Sequence, residues 1–315
     1  MCAVFGFLDY GRKIPHKVLA RLVQALAKAA EERGTDAAGI SYIKNGKVTI
    51  YKRPKAAHKL RFRIPYGTRA VMGHTRFTTQ GSEKQNYNNH PFYGQADKAF
   101  ALAHNGVLYN DTALRKAKSL PDTHIETDSY IAVQLVEKQG ALNFTTLRHM
   151  AEDVHGSFVF TILGDDNTLY ISKGDNPLCL LHFKKIGLYV YTSTRQIMAN
   201  VIKGSFLENY HFEVIVAEEG EIIRIDKHGV LTKDCYVPDC GCTGCVGGSY
   251  YEFYDKADPE GYLYDVCNMF GLAPEELSLL YEMGYDNDEI EEMIQDRQYL
   301  QLCINDARAI IGERF

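Results

Sequence analysis

The sequence predicts a layered α+β fold, in which antiparallel sheets are stacked and helices cover their outer faces. Two observations predict it. Short β-branched or aromatic segments bounded by turn residues occur in two groups along the chain. Helical patterns lie around and between these groups, rather than alternating with single strands as in a parallel sheet. The 315 residues are 45% hydrophobic and 24% charged, which is ordinary for a globular protein.

The first group of elements opens the chain. Residues 2–9 are apolar and β-prone, which indicates a strand. Residues 15–33 keep the 3.6-residue apolar period of an amphipathic helix, and Pro15 and Gly34 mark its ends. Further short strands are predicted in AAGISYIK, KVTIYKR, RAVMGHTRF and KAFALAHNGVL.

The second group begins with two helices, predicted in DSYIAVQLVEKQG and NFTTLRHMAEDV. Strands follow in GSFVFTILG, TLYISKG, LCLLHF, GLYVYTS, FEVIVAEEG and EIIRIDKHG, with one helix at Arg195–Ile202 among them. Near Cys235 this periodicity is lost. We therefore predict a first domain at residues 1–235, a Cys/Gly/Tyr-rich linker at 236–257 and a small helical segment at 258–315.

Composition excludes several classes of protein. The net charge is −5 and the pI is near 6.1, so a basic nucleic-acid-binding surface is not expected. No apolar run approaches the ~20 residues that span a bilayer, and the N-terminus lacks the pattern of a secretion signal. A cytoplasmic location is the expectation. The eight cysteines are then better explained as thiols, a nucleophile or metal ligands than as disulfides.

Cys2 directly follows the initiator methionine. Removal of Met1 would give Cys2 a free α-amine, which titrates near ~7.7–8 and can serve as a base for the thiol. A buried cysteine in a first strand is the alternative, and it is the stronger explanation when this residue is considered alone.

Four further stretches carry residue types that are unusual for simple packing: residues 33–39, 73–81, 104–106 and 126–129. Each also has an ordinary structural explanation. RGTD fits a helix C-cap and turn, and Arg76 fits a surface cation. Asn105-Gly106 fits a hairpin turn, and the Thr127–Ser129 stretch fits a helix N-cap.

Taken together, the four stretches describe a site for an amino acid with a side-chain amide. Asn105 and the Gly106 N–H can form an oxyanion hole for attack by a Cys2 thiolate. Arg76 suits an α-carboxylate and Asp128 suits an α-ammonium group. Glutamine and asparagine both fit this description.

The ordered motifs resemble the glutaminase domain of class II glutamine amidotransferases, an N-terminal nucleophile (Ntn) group that includes glucosamine-6-phosphate synthase and glutamine phosphoribosylpyrophosphate amidotransferase. The resemblance covers roughly residues 2–200. It rests on Cys2 with its strand and on RGTDAAGI, GHTRFTTQG, NNHPF, ALAHNGVLYN and ETDS.

The resemblance implies a four-layer αββα Ntn-hydrolase sandwich and a reaction that requires no cofactor. It implies that Cys2 forms a thioester with glutamine, that Asn105 and Gly106 form the oxyanion hole, and that Arg33 has a structural role nearby. The implied glutamine-binding residues are Arg76, Thr79, Gln80 and Asp128. Two positions depart from the family: Tyr130 stands where an acidic residue is frequent, and Gln80 where the aminosugar branch often has histidine.

The ammonia acceptor is not evident in the sequence. The named relatives carry large acceptor domains, whereas residues 236–315 are too few for one and contain no phosphate-binding glycine loop. We therefore expect a stand-alone glutaminase that delivers ammonia to a separate protein. Two alternatives stay open: an Ntn hydrolase for another amide, and a glutamine-binding regulatory module that keeps Met1 and has no turnover.

A cluster of cysteines lies after the predicted first domain. Its members are Cys235, Cys240, Cys242 and Cys245. Four thiolates could bind zinc or an iron–sulfur cluster, but the spacing is not that of paired zinc knuckles, and a flexible linker is the alternative. The helical segment beyond it is expected to form a small bundle. The oligomeric state is left open, with a homo-oligomer as one option.

Overall fold

The computed structural model describes residues 2–238, 274–283 and 297–312, together with residues 285, 290 and 293. The chain divides into two compact units, Met1–Gly241 and Cys242–Phe315. The predicted boundaries at residues 235 and 257 remain predictions.

The first unit contains thirteen strands within the described residues. They are β1 (Ala3–Asp9), β2 (Ala37–Lys44), β3 (Lys47–Arg53), β4 (Ala70–Arg76), β5 (Phe92–Gln95), β6 (Ala99–Leu108), β7 (Gly156–Gly164), β8 (Leu169–Lys173), β9 (Cys179–Phe183), β10 (Leu188–Thr192), β11 (Glu213–Ile215), β12 (Glu221–Ile225) and β13 (Leu231–Cys235). One sheet has the order β11-β9-β10-β1-β4-β2-β3, and the other has the order β13-β12-β8-β7-β6-β5. All the paired strands are antiparallel.

Five helices accompany these sheets: α1 (His16–Ala29), α2 (Asp111–Ala117), α3 (Tyr130–Gln139), α4 (Phe144–Asp153) and α5 (Arg195–Ile202). Short 3₁₀ turns lie at Ala30–Arg33, Ala57–Lys59, Asn86–Asn88 and Phe206–Asn209.

The layers follow from the alternation of side chains along each strand. In β1, Phe5 and Phe7 pack with residues of α1 and α5, whereas Val4 and Leu8 lie in the cluster between the two sheets. In the second sheet, even-numbered residues of β6 such as Leu102 face α3 and α4, and odd-numbered ones face the first sheet. The result is a four-layer αββα sandwich, which confirms the predicted fold class.

Most predicted elements of the first unit are present, and several differ in extent. The helix predicted at 15–33 ends at Ala29 and continues as the 3₁₀ turn Ala30–Arg33. The strand predicted in FEVIVAEEG is limited to Glu213–Ile215. The strands Phe92–Gln95 and Leu231–Cys235 and the helix Asp111–Ala117 were not predicted.

The described part of the second unit contains α6 (Pro274–Glu282) and α7 (Arg297–Gly312). Its buried apolar cluster consists of Leu277, Leu280, Ile290, Met293, Leu300, Cys303 and Ile304. The first part of the predicted helical segment, residues 258–273, lies outside the described residues. Across the described part of the chain, no helix is both long enough and apolar enough to cross a membrane.

Candidate active site

Cys2 lies at the beginning of β1, a central strand paired with β10 on one side and β4 on the other. It is partly exposed, whereas Ala3–Asp9 are all buried, so it is not simply a core residue of this strand. Its Sγ lies 3.4 Å from both the backbone N and the carbonyl O of Phe77. Burial raises the pKa of the thiol, so that it is protonated at neutral pH and requires a base before it can attack.

Arg33 is placed next to this residue by the turn that ends α1. Its Nε donates a 2.8 Å hydrogen bond to the carbonyl oxygen of Cys2. Gly34 then passes so close to β4 that a Cβ would lie 2.4 Å from the carbonyl carbon of Arg76. Asp36 accepts a 2.8 Å bond from the backbone N–H of Thr78. The RGTD stretch therefore joins the end of the first helix to the segment that contacts the Cys2 sulfur.

Asn105 and Gly106 lie inside β6, so the hairpin-turn explanation is wrong. The Asn105 side chain is buried, and its Nδ2 has no hydrogen-bond partner among the described residues. Gly106 has φ +150°, and a Cβ there would lie 1.9 Å from the Ser157 carbonyl oxygen. Only glycine fits this position without displacing β7.

The register of β6 and β7 fixes the direction of the Gly106 N–H. Gly106 is opposite Phe158, whose own N–H and C=O bond to Asp175 Oδ1 and the Gly174 N–H on the far side of β7. The Gly106–Phe158 pair is therefore a non-hydrogen-bonded pair of the antiparallel ladder, and the Gly106 N–H points away from β7. Leu108, two residues further, donates its N–H on the same edge to Asp128.

Asp128 is buried and lies just before α3. Its Oδ2 accepts the Leu108 N–H at 2.7 Å, and its Oδ1 accepts the Ser129 hydroxyl at 3.2 Å. Ser129 occupies the N-cap position of α3 but forms no capping bond with its side chain, whose Oγ lies 2.8 Å from His104 Nδ1. The carboxylate has two neutral donors, and no salt bridge of the described residues involves it.

Arg76 ends β4 and is only 3% exposed, which overturns the surface-cation explanation. Its Nη1 donates to Asn89 Oδ1 at 2.7 Å, and its Nη2 donates to the carbonyls of Gln80 and Gly81 at 2.6 and 2.9 Å. The guanidinium has five N–H groups. Beyond these three contacts, two of the N–H groups have no partner among the described residues and could bind a ligand. Gln80 and Thr79 are exposed, and Gln80 meets Arg76 through its backbone.

The charges of Arg76 and Asp128 both act on the Cys2 thiol. Arg76 lowers its pKa and Asp128 raises it, with burial as the larger influence. The fold thus brings together the residues named from the sequence as nucleophile, carboxylate-binding cation and amine-binding carboxylate. Asn105 and Gly106 lie on the strand whose edge holds Asp128.

Three buried histidines, which the sequence analysis gave no role, lie behind this site. His74 Nε2 donates to the His104 carbonyl at 2.9 Å, and its ring lies 4.2 Å from that of His90. Burial lowers the pKa of His74 to about 3 and also lowers those of His90 and His104. All three rings are therefore neutral near pH 7. In the sequence, the feature that could have identified these histidines is their position within the GHTRFTTQG, NNHPF and ALAHNGVLYN motifs.

The cysteine cluster is only partly described. Cys235 ends β13 and is half-buried, whereas Cys240, Cys242 and Cys245 lie outside the described residues. Among the described residues, no group of three or more His, Cys, Asp or Glu side chains could hold a metal ion. Zinc or iron–sulfur binding by the four cysteines stays a prediction.

Known proteins resemble this chain in sequence and in fold. Residues 74–199 match the glutamine amidotransferase domain family. The glutamine–fructose-6-phosphate aminotransferase (isomerizing) of Staphylococcus aureus strain Mu50 is 29% identical over 270 residues, which cover 81% of this chain and 42% of that protein. The Staphylococcus epidermidis RP62A enzyme of the same name is 28% identical over 269 residues, with the same coverage. The chain thus spans about two fifths of the length of these relatives.

Solved structures give the fold independently. Glutamine phosphoribosylpyrophosphate amidotransferase from B. subtilis superposes with a TM-score of 0.59 at 18% identity, over 76% of this chain and 50% of that one. A structure described as the allosteric regulatory enzyme of purine biosynthesis gives 0.60 at 19% identity, with the same coverage. The αββα fold is therefore shared with these two structures. The match of residues 74–199 to the glutamine amidotransferase domain agrees with the resemblance found in the motifs.

Proposed function

We propose that this protein hydrolyses L-glutamine to glutamate and ammonia through a γ-glutamyl thioester on Cys2. The observation that carries the proposal is that two opposite charges both act on the nucleophile. Arg76 and Asp128 are both close enough to Cys2 to shift the pKa of its thiol. A substrate with both an α-carboxylate and an α-ammonium group uses both charges, whereas a simple amide uses neither.

Glutamine binding follows from the remaining hydrogen-bonding capacity of these side chains. The two Arg76 N–H groups that the protein leaves available would bind the α-carboxylate, beside the exposed loop of Thr79 and Gln80. Asp128 would accept from the α-ammonium group. These contacts would bring the side-chain amide of glutamine to Cys2, whose backbone is fixed by the hydrogen bond from Arg33.

The chemistry begins once Met1 has been removed. The α-amine of Cys2 takes the thiol proton, directly or through a water, and the thiolate attacks the amide carbon. The resulting oxyanion accepts bonds from Asn105 Nδ2–H and the Gly106 N–H. The carbon–nitrogen bond then breaks as the ammonium returns its proton to the leaving nitrogen, which departs as ammonia. Water attacks the thioester and releases glutamate.

The ammonia acceptor belongs to the same proposal. The Staphylococcus relatives are named as glutamine–fructose-6-phosphate aminotransferases, a name that pairs glutamine with an acceptor of its amino group. We propose that the ammonia released here passes to an acceptor on a separate protein. Copurification from the source organism should return a second chain that increases glutamine consumption. A preparation that contains one chain and is fully active alone would count against a separate acceptor.

A regulatory glutamine-binding module is the second candidate, and it requires that Met1 be retained. The Asn105 Nδ2 has no hydrogen-bond partner among the described residues, which favours turnover instead, because binding of glutamine by its α-groups does not need this donor. Hydrolysis of a different amide is disfavoured by the pair of charges. Direct comparison of glutamine with asparagine and simple amides separates these candidates.

The proposal is tested by labelling with an electrophilic diazoketone analogue of glutamine. Intact mass and peptide mapping should show one adduct on Cys2, on a chain that lacks Met1, and excess glutamine should prevent it. Cys2→Ala should remain unlabelled, while Cys303, a buried cysteine of α7, should be unmodified in both. No adduct on a chain that lacks Met1 would overturn glutamine as the substrate. A chain that keeps Met1 and resists labelling would support the regulatory module.

A further inference from the structure

The segment that holds Arg76 also passes over the edge of the first sheet. Gly39 in β2 lies opposite Lys52 in β3. A Cβ at Gly39 would come within 2.3 Å of the His90 carbonyl oxygen and 2.7 Å of the Lys52 Cβ. The glycine therefore allows the chain around His90 to lie directly on the sheet, beside the Lys52 side chain.

The Lys52 ammonium group forms hydrogen bonds with this segment. Its Nζ donates to the carbonyl of Asn89 and, at 3.0 Å, to that of Pro91. It also lies 4.9 Å from the centre of the Phe92 ring, within the range of a cation–π contact. In return, the Asn86 side chain donates to the Lys52 carbonyl at 3.1 Å.

Asn89 connects Lys52 to the guanidinium of Arg76. Its backbone carbonyl accepts from Lys52, while its side-chain Oδ1 accepts from Arg76 Nη1 at 2.7 Å. Its Nδ2 donates to the Glu83 carbonyl at 2.8 Å, which closes the loop onto itself. One buried asparagine is thus held by two cations, so its position and that of the guanidinium depend on each other.

The two cations lack a counter-charge in direct contact. Neither forms a salt bridge with a carboxylate of the described residues. Burial, with a smaller effect of Arg76, lowers the pKa of Lys52 to about 8. The other titratable groups that interact with Lys52 are His74 and His90, both neutral. Three carboxylates act on Arg76 without contacting it, those of Glu83, Asp128 and Asp36. An α-carboxylate bound at Arg76 would supply the contacting counter-charge that the two cations lack.

We propose that Lys52 is a positioning residue of the glutamine α-carboxylate subsite. It fixes Asn89, which orients the Arg76 guanidinium, and its charge adds to the field that attracts the carboxylate. The inference rests on the proposed function, since it names a further residue of the same site. A lysine that supports carboxylate binding matters only for substrates that have the carboxylate. Loss of a purely structural lysine would instead reduce activity equally on substrates with and without it.

The test compares glutamine with γ-aminobutyramide, which keeps the amine and the amide but lacks the carboxylate. Wild-type protein is measured first, because absence of turnover and of Cys2 labelling there would refute the proposed function rather than this inference. In Lys52→Met, the ratio of kcat/KM for glutamine to that for γ-aminobutyramide should fall about tenfold. Lys52→Arg should recover most of the ratio, since it keeps the charge and the donors.

Two further variants keep the outcome decisive. Lys47→Met changes an exposed lysine of the same strand and should leave the ratio unchanged. Lys52→Gln keeps a donor but loses the charge, so it gives a second measurement if Lys52→Met fails to fold. An equal loss of activity on both substrates would show that Lys52 is merely structural, and an unchanged ratio would show that it has no role in the subsite.

A pH series adds an independent measurement. Lys52 is charged below about pH 8 and loses its charge above it. The difference in KM for glutamine between wild type and Lys52→Met should therefore be large near neutral pH and diminish above pH 8. A difference that persists unchanged when the ammonium is deprotonated would overturn the contribution of charge.

Discussion

The backbone N–H of Leu108 donates a 2.7 Å hydrogen bond to Oδ2 of Asp128. Leu108 is two residues beyond Gly106 on the same edge of β6, so the strand that presents the proposed oxyanion donors also fixes the carboxylate proposed to bind the α-amine. One rigid strand therefore fixes the distance between the group proposed to bind the α-amine of glutamine and the donors proposed to bind its amide oxygen.

Asp128→Asn should weaken recognition of the α-ammonium group. The amide keeps an acceptor for the Leu108 N–H but removes the negative charge, so the KM for glutamine should rise about 10–100-fold while kcat falls less. The measurement compares glutamine with glutaramate, which lacks the amine, and the preference for glutamine should drop. Asp122→Asn, at an exposed position, serves as the control. An equal loss on both substrates would contradict the proposed role.

Asn105→Ala should separate catalysis from stability. Removal of one donor from an oxyanion hole typically lowers kcat by about 10²–10³, and we expect the same here. The Asn105 Nδ2 has no partner among the described residues, so we expect a loss of unfolding free energy of no more than about 1 kcal/mol.

Asn88→Ala is the matched comparison, because Asn88 is also fully buried. Its Nδ2 donates to Glu126 Oε2 at 2.7 Å, and its Oδ1 accepts the Glu126 N–H at 2.9 Å. Urea unfolding should show a clearly larger loss for Asn88→Ala, about 2–3 kcal/mol. If Asn105→Ala proves as destabilising as Asn88→Ala, Asn105 is a structural residue.

The sequence predicted elements whose apolar pattern is visible locally, and it missed those formed by long-range pairing. Gly94 interrupts the Phe92–Gln95 strand, and that strand exists because it pairs with β6, where the Phe100 ring covers Gly94. The Leu231–Cys235 strand has no apolar alternation. It lies at the edge of its sheet and depends on pairing with β12. Such strands are specified by a partner rather than by their own residues.

The motifs of the site were predictable because each carries unusual residue types. The residues that hold these motifs in position were not predictable. Lys52 occurs in a strand whose residues are half-buried or exposed, and no local feature of the sequence distinguishes it from Lys47. Its contact with Asn89 joins positions 37 apart in the chain. The direction of the Gly106 N–H likewise depends on the register with β7, which a single strand does not define.

Gly106→Ala should destabilise the protein through a clash rather than through backbone strain alone. The added Cβ would lie 1.9 Å from the Ser157 carbonyl and 2.6 Å from His104 Nε2. Gly46→Ala is the control, since Gly46 also has a positive φ (+69°) but nothing lies within 4 Å of its Cβ position. We expect unfolding free energy losses of about 1 kcal/mol for Gly46→Ala and at least about 3 kcal/mol for Gly106→Ala. Similar losses would mean that β7 moves aside at little cost.

The buried histidines predict a loss of stability in mild acid. The pKa of His74 is about 3 in the folded protein because its ring is buried, whereas an unfolded histidine titrates near ~6.5. Below about pH 6.5 the unfolded chain therefore binds a proton that the folded protein does not, so the unfolding free energy falls as the pH falls towards 3. His90 and His104 act in the same direction, since their pKa values are also lowered.

This acid sensitivity can be assigned to single rings. At pH 5, the buried His74 ring should cost about 2 kcal/mol relative to neutral pH, as measured by urea unfolding at the two pH values. His74→Gln keeps an N–H for the His104 carbonyl without titrating, so it should reduce the loss by about that amount. His228→Gln, at an exposed position, should leave the loss unchanged. If His74→Gln is as acid-sensitive as wild type, the His74 ring accepts a proton inside the folded protein, and the ring that bonds to the His104 carbonyl is not kept neutral.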